Sequence, residues 1–392
     1  MTNAIIIVLC SMLLLAYVAE ISSERTRIPS IILLLLLGWI VRQVTGLLDW
    51  NIPDLDPLLP LLGTVGLILI VLEGSLDLQI NRSKTGTIKI TLLSAIISLI
   101  TFSLVFTAIF CLVKDVNFIT GLMNAVPLSV ISSSIAIPAA RHSAPEIREF
   151  VIYESSMSDV IGVLLFNFVA FNAGKGFNFG SASFLILQIV LIVLISSVSV
   201  LGLSALLSRI RNHISYTPII LLAILIYAVA KEFDLSGLLF IMVFGLFLGN
   251  VSEVRKIYPL EMLNPDRLET EILKFRSITV EATFFVRSLF FLLFGFLMET
   301  SDFLNIETLP MALIITGLIF GLRLLLLKLL NQPGNPLVYF SPRGLITILL
   351  FLSVLPAYTI PGINDSLIIQ VIVLSVLIMA FGLIKHGRQK LN

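Results

Sequence analysis

Apolar runs long enough to cross a lipid bilayer follow one another along almost the whole chain, separated by short polar stretches. A helix crosses the hydrocarbon with about 20 apolar residues, or slightly fewer where its end residues snorkel. That ruler predicts about thirteen spans. They centre near Leu9, Leu36, Leu67, Ile97, Ser132, Leu164, Leu194, Ala223, Val243, Leu289, Ile319, Leu349 and Leu374. The first run, Ala4 to Val18, has no positive leader and ends at Glu20 rather than at small residues, so it reads as a retained span. The longest polar stretch, about Ser252 to Arg276, reads as a single loop. The expected fold class is an all-α membrane protein, one transmembrane domain over residues 1–392 with no soluble domain.

Composition agrees. The chain is 58% hydrophobic and only 12% charged, where a soluble domain carries roughly 25% charged residues. Such a surface needs lipid as its solvent. A net charge of +1 gives no reason to expect nucleic acid or an acidic polymer as partner. Cys10 and Cys111 sit in or beside apolar runs and read as buried free thiols. His142, His213 and His386 are scattered among basic loops, which argues against a metal site.

Charge also orients the chain. With the N-terminus outside, one set of loops collects roughly 18 Lys and Arg, among them Arg25, Arg82, Arg148, Arg209, Arg276, Lys328 and Lys385. The other set holds only Arg42, Lys114, Lys175 and Lys231. This positive-inside bias predicts a multi-pass protein of the cell (inner) membrane with its C-terminus in the cytoplasm.

Arg287, Arg323 and Arg343 fall in neither set, because each lies within or at the edge of an apolar run. A charge there costs at least about 3 kcal/mol on insertion scales, so each needs a partner or water. Acids accompany them. The segment Glu149 to Phe168 (EFVIYESSMSDVIGVLLFNF) is helical by length and continuity. Ser155, Ser158, Asp159 and Gly162 fall on one helical stripe, and Glu154 lies one turn before Ser158 on an adjoining face. A seam of helix–helix hydrogen bonds needs only serines; an unneutralised Asp159 points to an ion or proton site. Burial disfavours the charged form of a carboxylic acid and a bound cation favours it. Proton and monovalent cation would then compete for Asp159, which by itself gives obligatory exchange. No phosphate-binding loop is present, so no ATP and no cofactor are expected.

Two segments make poor continuous helices. Gly121 to Ala140 (GLMNAVPLSVISSSIAIPAA) holds Ser132, Ser133 and Ser134 in a row between Pro127 and Pro138. It reads either as a broken helix lining a cavity or as a proline-kinked helix whose serines bond back to carbonyls. In Pro336 to Leu355, Ser341-Pro342-Arg343-Gly344 interrupts a hydrophobic stretch. A broken helix in each half is the expected mark of an inverted repeat around a midplane site. For Arg323, a lone cation in Ile314 to Leu330, Glu154 is the natural partner, with snorkelling to the membrane edge as the alternative. Glu73, near a span end, suits either an ion path or an interfacial charge; Asp77 reads as solvated.

Together these residues resemble the monovalent cation:proton antiporter superfamily, specifically its sodium/proton exchanger branch. The branch's Glu-Ser-Leu-Leu-Asn-Asp helix is similar to Glu154-Ser155-Ser156-Met157-Ser158-Asp159, and its Gly-Leu-Arg-Gly to Ser341-Pro342-Arg343-Gly344. Its lone arginine one span earlier is matched by Arg323, its Phe-Phe-x-x-x-Gly by Phe290 to Gly295, and its early acid before glycine by Glu73-Gly74. The likeness runs in order from about Arg27 to Leu383. It implies inverted repeats, here about 1–172 and 216–386, flanking a linking span at about 183–208, in a homodimer with elevator-like motion. It also implies that Asp159 holds the cation or proton, with Ser155 beside it and Glu73 facing the ion path. Glu154 and Arg323 would form a structural ion pair. Two departures from the pattern bear on the site: Ser158 replaces Asn, and Ser132-Ser133-Ser134 replaces Thr-Asp-Pro. With one carrier acid in place of two, one-for-one electroneutral exchange of Na+ (or K+ or Li+) for H+ is expected. Ser158, Ser132 and Ser133 complete the expected cation and proton site, with Ser134 and Arg343 supporting the broken helices.

Two other classes share some of these features. A cation channel could use buried acids and broken helices, but no repeated filter-like loop of carbonyls is present. An organic-anion carrier would rely on Arg343 and be opposed by Asp159. A membrane enzyme would need a nucleophile–base pair or metal cluster, and neither is seen.

Overall fold

The computed structural model describes residues 13–19, 30–48, 58–78, 85–141, 143–174, 237–250, 265–303 and 305–389, with scattered positions elsewhere. Its helices are α1 (Ser30–Leu47), α2 (Leu58–Asp77), α3 (Thr85–Lys114), α4 (Phe118–Ser129), α5 (Ser133–Ala139) and α6 (Pro145–Asn172). They continue with α7 (Gly237–Gly249), α8 (Pro265–Leu297), α9 (Leu309–Leu329), α10 (Leu345–Leu352) and α11 (Asp365–Gln389). No strand occurs among the described residues. Helix satisfies every backbone group within its own segment, which lipid demands. Among the described residues, 7 segments are long and apolar enough to cross a membrane. The spans expected around Leu194 and Ala223, and the linking span at 183–208, lie almost wholly outside the described residues, while of the span expected around Leu9 residues 13–19 are helical.

Helix faces are sorted for lipid. α3 turns Leu93, Ile100 and Leu104 outward and buries Thr91, Ser94, Ser98, Phe102 and Phe106. The polar groups therefore face protein, the reverse of a soluble helix. α8 packs along α1 and α2. The approach of α1 to α8 depends on two glycines: a Cβ on Gly38 would run into the Leu292 backbone, and one on Gly295 into that of Leu35. Arg42 then closes the end of α8, donating to the Leu297 carbonyl at 2.7 Å and pairing with Glu299 at 3.3 Å.

Three sequence expectations change here. The polar stretch 252–276 is not one loop, because α8 starts at Pro265. At 33 residues, α8 is roughly 50 Å long against a hydrocarbon core of about 30 Å. Its first turns therefore project beyond the membrane, where hydropathy registers only polarity. Asp77 is not simply solvated, since it pairs with Arg276 of α8 at 2.6 Å. Neither thiol is buried: Cys10 is exposed and Cys111 partly so, both free.

The run 118–139 is broken by extended backbone at Val130 (φ −75°, ψ 132°) and Ser132 (φ −77°, ψ 115°). Pro127 and Pro138 sit inside α4 and α5, so the break falls between the prolines rather than at either. A second break lies at 340–344, between a single 3-10 turn (Leu337–Tyr339) and α10. With 8 residues, α10 reaches only about 12 Å and cannot cross a bilayer alone. The breaks meet where the Ser132 amide donates to the Pro342 carbonyl at 3.0 Å.

Candidate functional site

α6 touches α2, α3, α4, α5, α7 and α10. That surround is what lets it carry Glu154, Ser155, Ser156, Ser158 and Asp159, all buried, since polar groups at membrane depth persist when they face protein. Its first turn is preset by Pro145, which supplies a helical φ where no amide partner is needed.

The face toward the first break is built from small groups. Ser158 Oγ accepts the Ile131 amide at 3.0 Å, satisfying one donor that the unwound backbone leaves free. One turn on, Gly162 leaves space that the Val130 side chain fills. Seated in this way, the break delivers α5 to Asp159. Asp159 Oδ2 accepts the Ser133 amide at 3.2 Å and the Ser133 hydroxyl as well. Asp159 Oδ1 is buried and has no hydrogen-bond partner. The other two serines of the run turn toward each other, Ser132 Oγ lying 2.9 Å from Ser134 Oγ.

Beside Asp159 lies a small hollow lined by Gly74 and Ser75 of α2, Ser133, Ser156, Asp159 and Val160, with Met242 of α7 and further apolar groups of α2. Among the described residues, one carboxylate, several hydroxyls and no cation line it. Oxygen ligands of this kind suit a hard cation.

The second charge cluster is separate. Arg323 of α9 forms a two-pronged ion pair with Glu154, with NH1 to Oε1 at 2.5 Å and NH2 to Oε2. Ser94 of α3 also donates to Glu154 Oε1. Arg323 and Glu154 are 0% and 1% exposed, so snorkelling does not occur and the pair ties α3, α6 and α9 together. Arg343 sits at the crossing of the breaks, also fully buried. Its Nε donates to the Leu128 carbonyl near the end of α4, and NH1 to the Ser341 carbonyl at 3.1 Å. Its guanidinium lies 5.1 Å from the Phe102 ring centre. A cation near a helix C-terminus complements the carbonyls left free there.

Not every expected residue joins the hollow. Ser155 donates back to the Val151 carbonyl at 2.7 Å, and Glu73 is absent from the lining, lying instead beside Thr283 and Arg287 of α8. Ser156 and Ser75 line it without having been singled out from the sequence. Ser156 stands at i−3 from Asp159, a spacing that places it beside the carboxylate in a helix, as Ser155 at i−4 also is.

Residues 10–386 match the model of a family described as sodium/hydrogen exchanger, transmembrane. No curated protein sequence matches the chain. The fold is similar to a structure of the sodium proton antiporter MjNhaP1 from Methanocaldococcus jannaschii at pH 8, with TM-score 0.72 and 21% identity, covering 96% of each chain. An electron-microscopy structure of the same antiporter aligns with TM-score 0.69 and 20% identity, over 97% of this chain and 95% of that one.

Proposed function

We propose that this chain, which belongs to the sodium/hydrogen exchanger family and is a multi-pass membrane protein, exchanges a monovalent cation, Na+ in the first place, for H+. The family is one of transporters, and the antiporter of similar fold is itself described as a sodium proton antiporter. The observation that carries the reading is Asp159: buried, unpaired by any cation among the described residues, with one oxygen held by Ser133 and the other free beside a hollow. An isolated buried carboxylate is stable when it carries a proton or a cation. Each excludes the other, and that exclusion couples their fluxes.

The roles follow from contacts. Asp159 is the carrier; Ser133 positions it; Ser158 holds the first break in register; Ser132 and Ser134 brace the turn. Glu154 with Arg323 forms the structural pair, and Arg343 fastens the crossing. Arg343 is engaged with carbonyls rather than the hollow, which favours a cation over an organic anion as cargo. Glu73, one helix face away, serves the approach to the hollow rather than the hollow itself. One carrier charge implies one Na+ per H+, hence electroneutral exchange without a cofactor. The loop charges support an outside N-terminus and a cytoplasmic C-terminus in the cell membrane. Repeats at 1–172 and 216–386 and a homodimer complete the proposal.

The test is the purified protein in liposomes with a pH-sensitive dye and an imposed pH gradient. Sodium, potassium and lithium are added in turn to wild type and Asp159→Asn. Dye recovery with one cation, lost in the variant and indifferent to voltage, is the expected result. Ion current or anion uptake without proton movement would overturn it.

A further inference from the structure

We propose that Ser156 is a direct ligand of the transported cation, and that its hydroxyl sets which cation the hollow accepts. The inference rests on the exchange reading above. Two buried oxygens have no hydrogen-bond partner, Ser156 Oγ and Asp159 Oδ1, and both belong to residues that line the same hollow. They are three residues apart on α6, so their side chains are neighbours on one helix surface.

Ser156 is a buried helical serine. Such a hydroxyl ordinarily bonds back to a carbonyl one turn earlier. Ser155 does so to Val151, Ser129 to Ala125 and Ser75 to Val71. Ser156 makes no such bond, and neither do Ser98, Ser103 and Ser288, but of these four Ser156 alone lines the hollow. Across the hollow, the residue facing it is Gly74, where an added Cβ would lie 3.3 Å from Ser156 Oγ. A side chain there would press on the hydroxyl, and glycine avoids it. An unsatisfied buried hydroxyl is costly, a penalty that disappears once a ligand fills the hollow.

A serine oxygen serves both occupants. With a cation bound, Ser156 offers a lone pair alongside the Asp159 carboxylate. With a proton on Asp159 Oδ1, the same lone pair accepts the acid's hydrogen bond. Ser75 Oγ donates its proton to α2 carbonyls, so it too presents lone pairs to the hollow. The six-residue motif that α6 resembles carries leucine at the position of Ser156, so this ligand is a property of the present chain.

The experiment compares Na+ with Tl+, a softer monovalent ion, in the liposome assay using the full-length protein. Variants are Ser156→Ala, Ser156→Cys and Asp159→Asn. Ser156→Ala is expected to raise the apparent KM for Na+ roughly tenfold with the maximal rate largely kept. Ser156→Cys replaces a hard oxygen with a soft sulfur of similar shape, so it should lose Na+ affinity while holding Tl+ near wild type. An unchanged Na+ KM in the alanine variant would overturn the proposal. So would a cysteine variant that weakens both ions equally, which is the signature of packing. Should alanine prevent folding, the Na+ to Tl+ ratio of the cysteine variant decides alone. Full exchange by Asp159→Asn would instead remove the exchange reading itself, whatever Ser156 does.

Discussion

Ser133 gives both its backbone amide and its hydroxyl to a single oxygen of Asp159. That double donation explains why the chain is broken just before α5: a continuous helix would consume the Ser133 amide in its own ladder. It also leaves unpartnered the second oxygen of a carboxylate that lines the hollow. The cost of unwinding the backbone is thus offset at the charge it serves.

Removing the hydroxyl tests this. Ser133→Ala keeps the amide but deletes one donor to the charged carboxylate, which tilts the competition toward the proton. The Na+ half-saturation in the dye assay should rise roughly tenfold, with exchange still detectable. Wild-type behaviour would mean that the amide alone positions Asp159.

Competition for one carboxylate has its own signature. As pH falls, protons occupy Asp159 and exclude the cation. The apparent Na+ half-saturation should climb toward about tenfold per pH unit on the acid side, while the rate at saturating Na+ holds. Initial rates from Na+ titrations at several pH values decide this. A half-saturation independent of pH would sink the shared-site mechanism.

The Glu154–Arg323 pair predicts a loss of a different kind. Each residue alone in the core would be an uncompensated charge, so Glu154→Ala or Arg323→Ala should destabilise by roughly 3–5 kcal/mol. Their double variant should lose less than the sum. Thermal unfolding in detergent measures the cycle. Additive losses would mean that the pair is not an energetic unit.

How far these features can be read without coordinates depends on their physical nature. Glu154, Asp159, Arg323 and Arg343 each stand out because a charge in an apolar run is costly, so the need for a partner is written in the sequence. The partner of Arg343 is not: it is a carbonyl at Leu128, and every residue has a carbonyl. The serine run 132–134 marks an interruption, yet only the backbone decides that Ser133 alone meets Asp159. Helical period places Ser155 near Asp159, but whether a hydroxyl turns back to its own helix, as in Ser155, or outward, as in Ser156, has no periodic signature. The start of α8 at Pro265 escaped for the reason that its first turns are polar, as a loop would be.

The crossing of the two breaks supplies the last prediction. Gly344 has φ −168°, an extended backbone any residue can adopt, so conformation does not require glycine there. Space does: an added Cβ would stand 2.6 Å from Ser132 Oγ. Gly344→Ala must therefore push Ser132 aside. Ser132 is bonded through its amide to Pro342 and precedes the residue that holds Asp159, so the displacement reaches the carboxylate. A misplacement of about 1 Å can cost a site up to about 100-fold in rate. The expected result is a protein that inserts and purifies normally but exchanges at least roughly tenfold more slowly. Gly317→Ala is the control, because nothing lies within 4 Å of a Cβ there, and alanine improves helix propensity. Equal activity in the two variants would show that the breaks can part without disturbing Asp159.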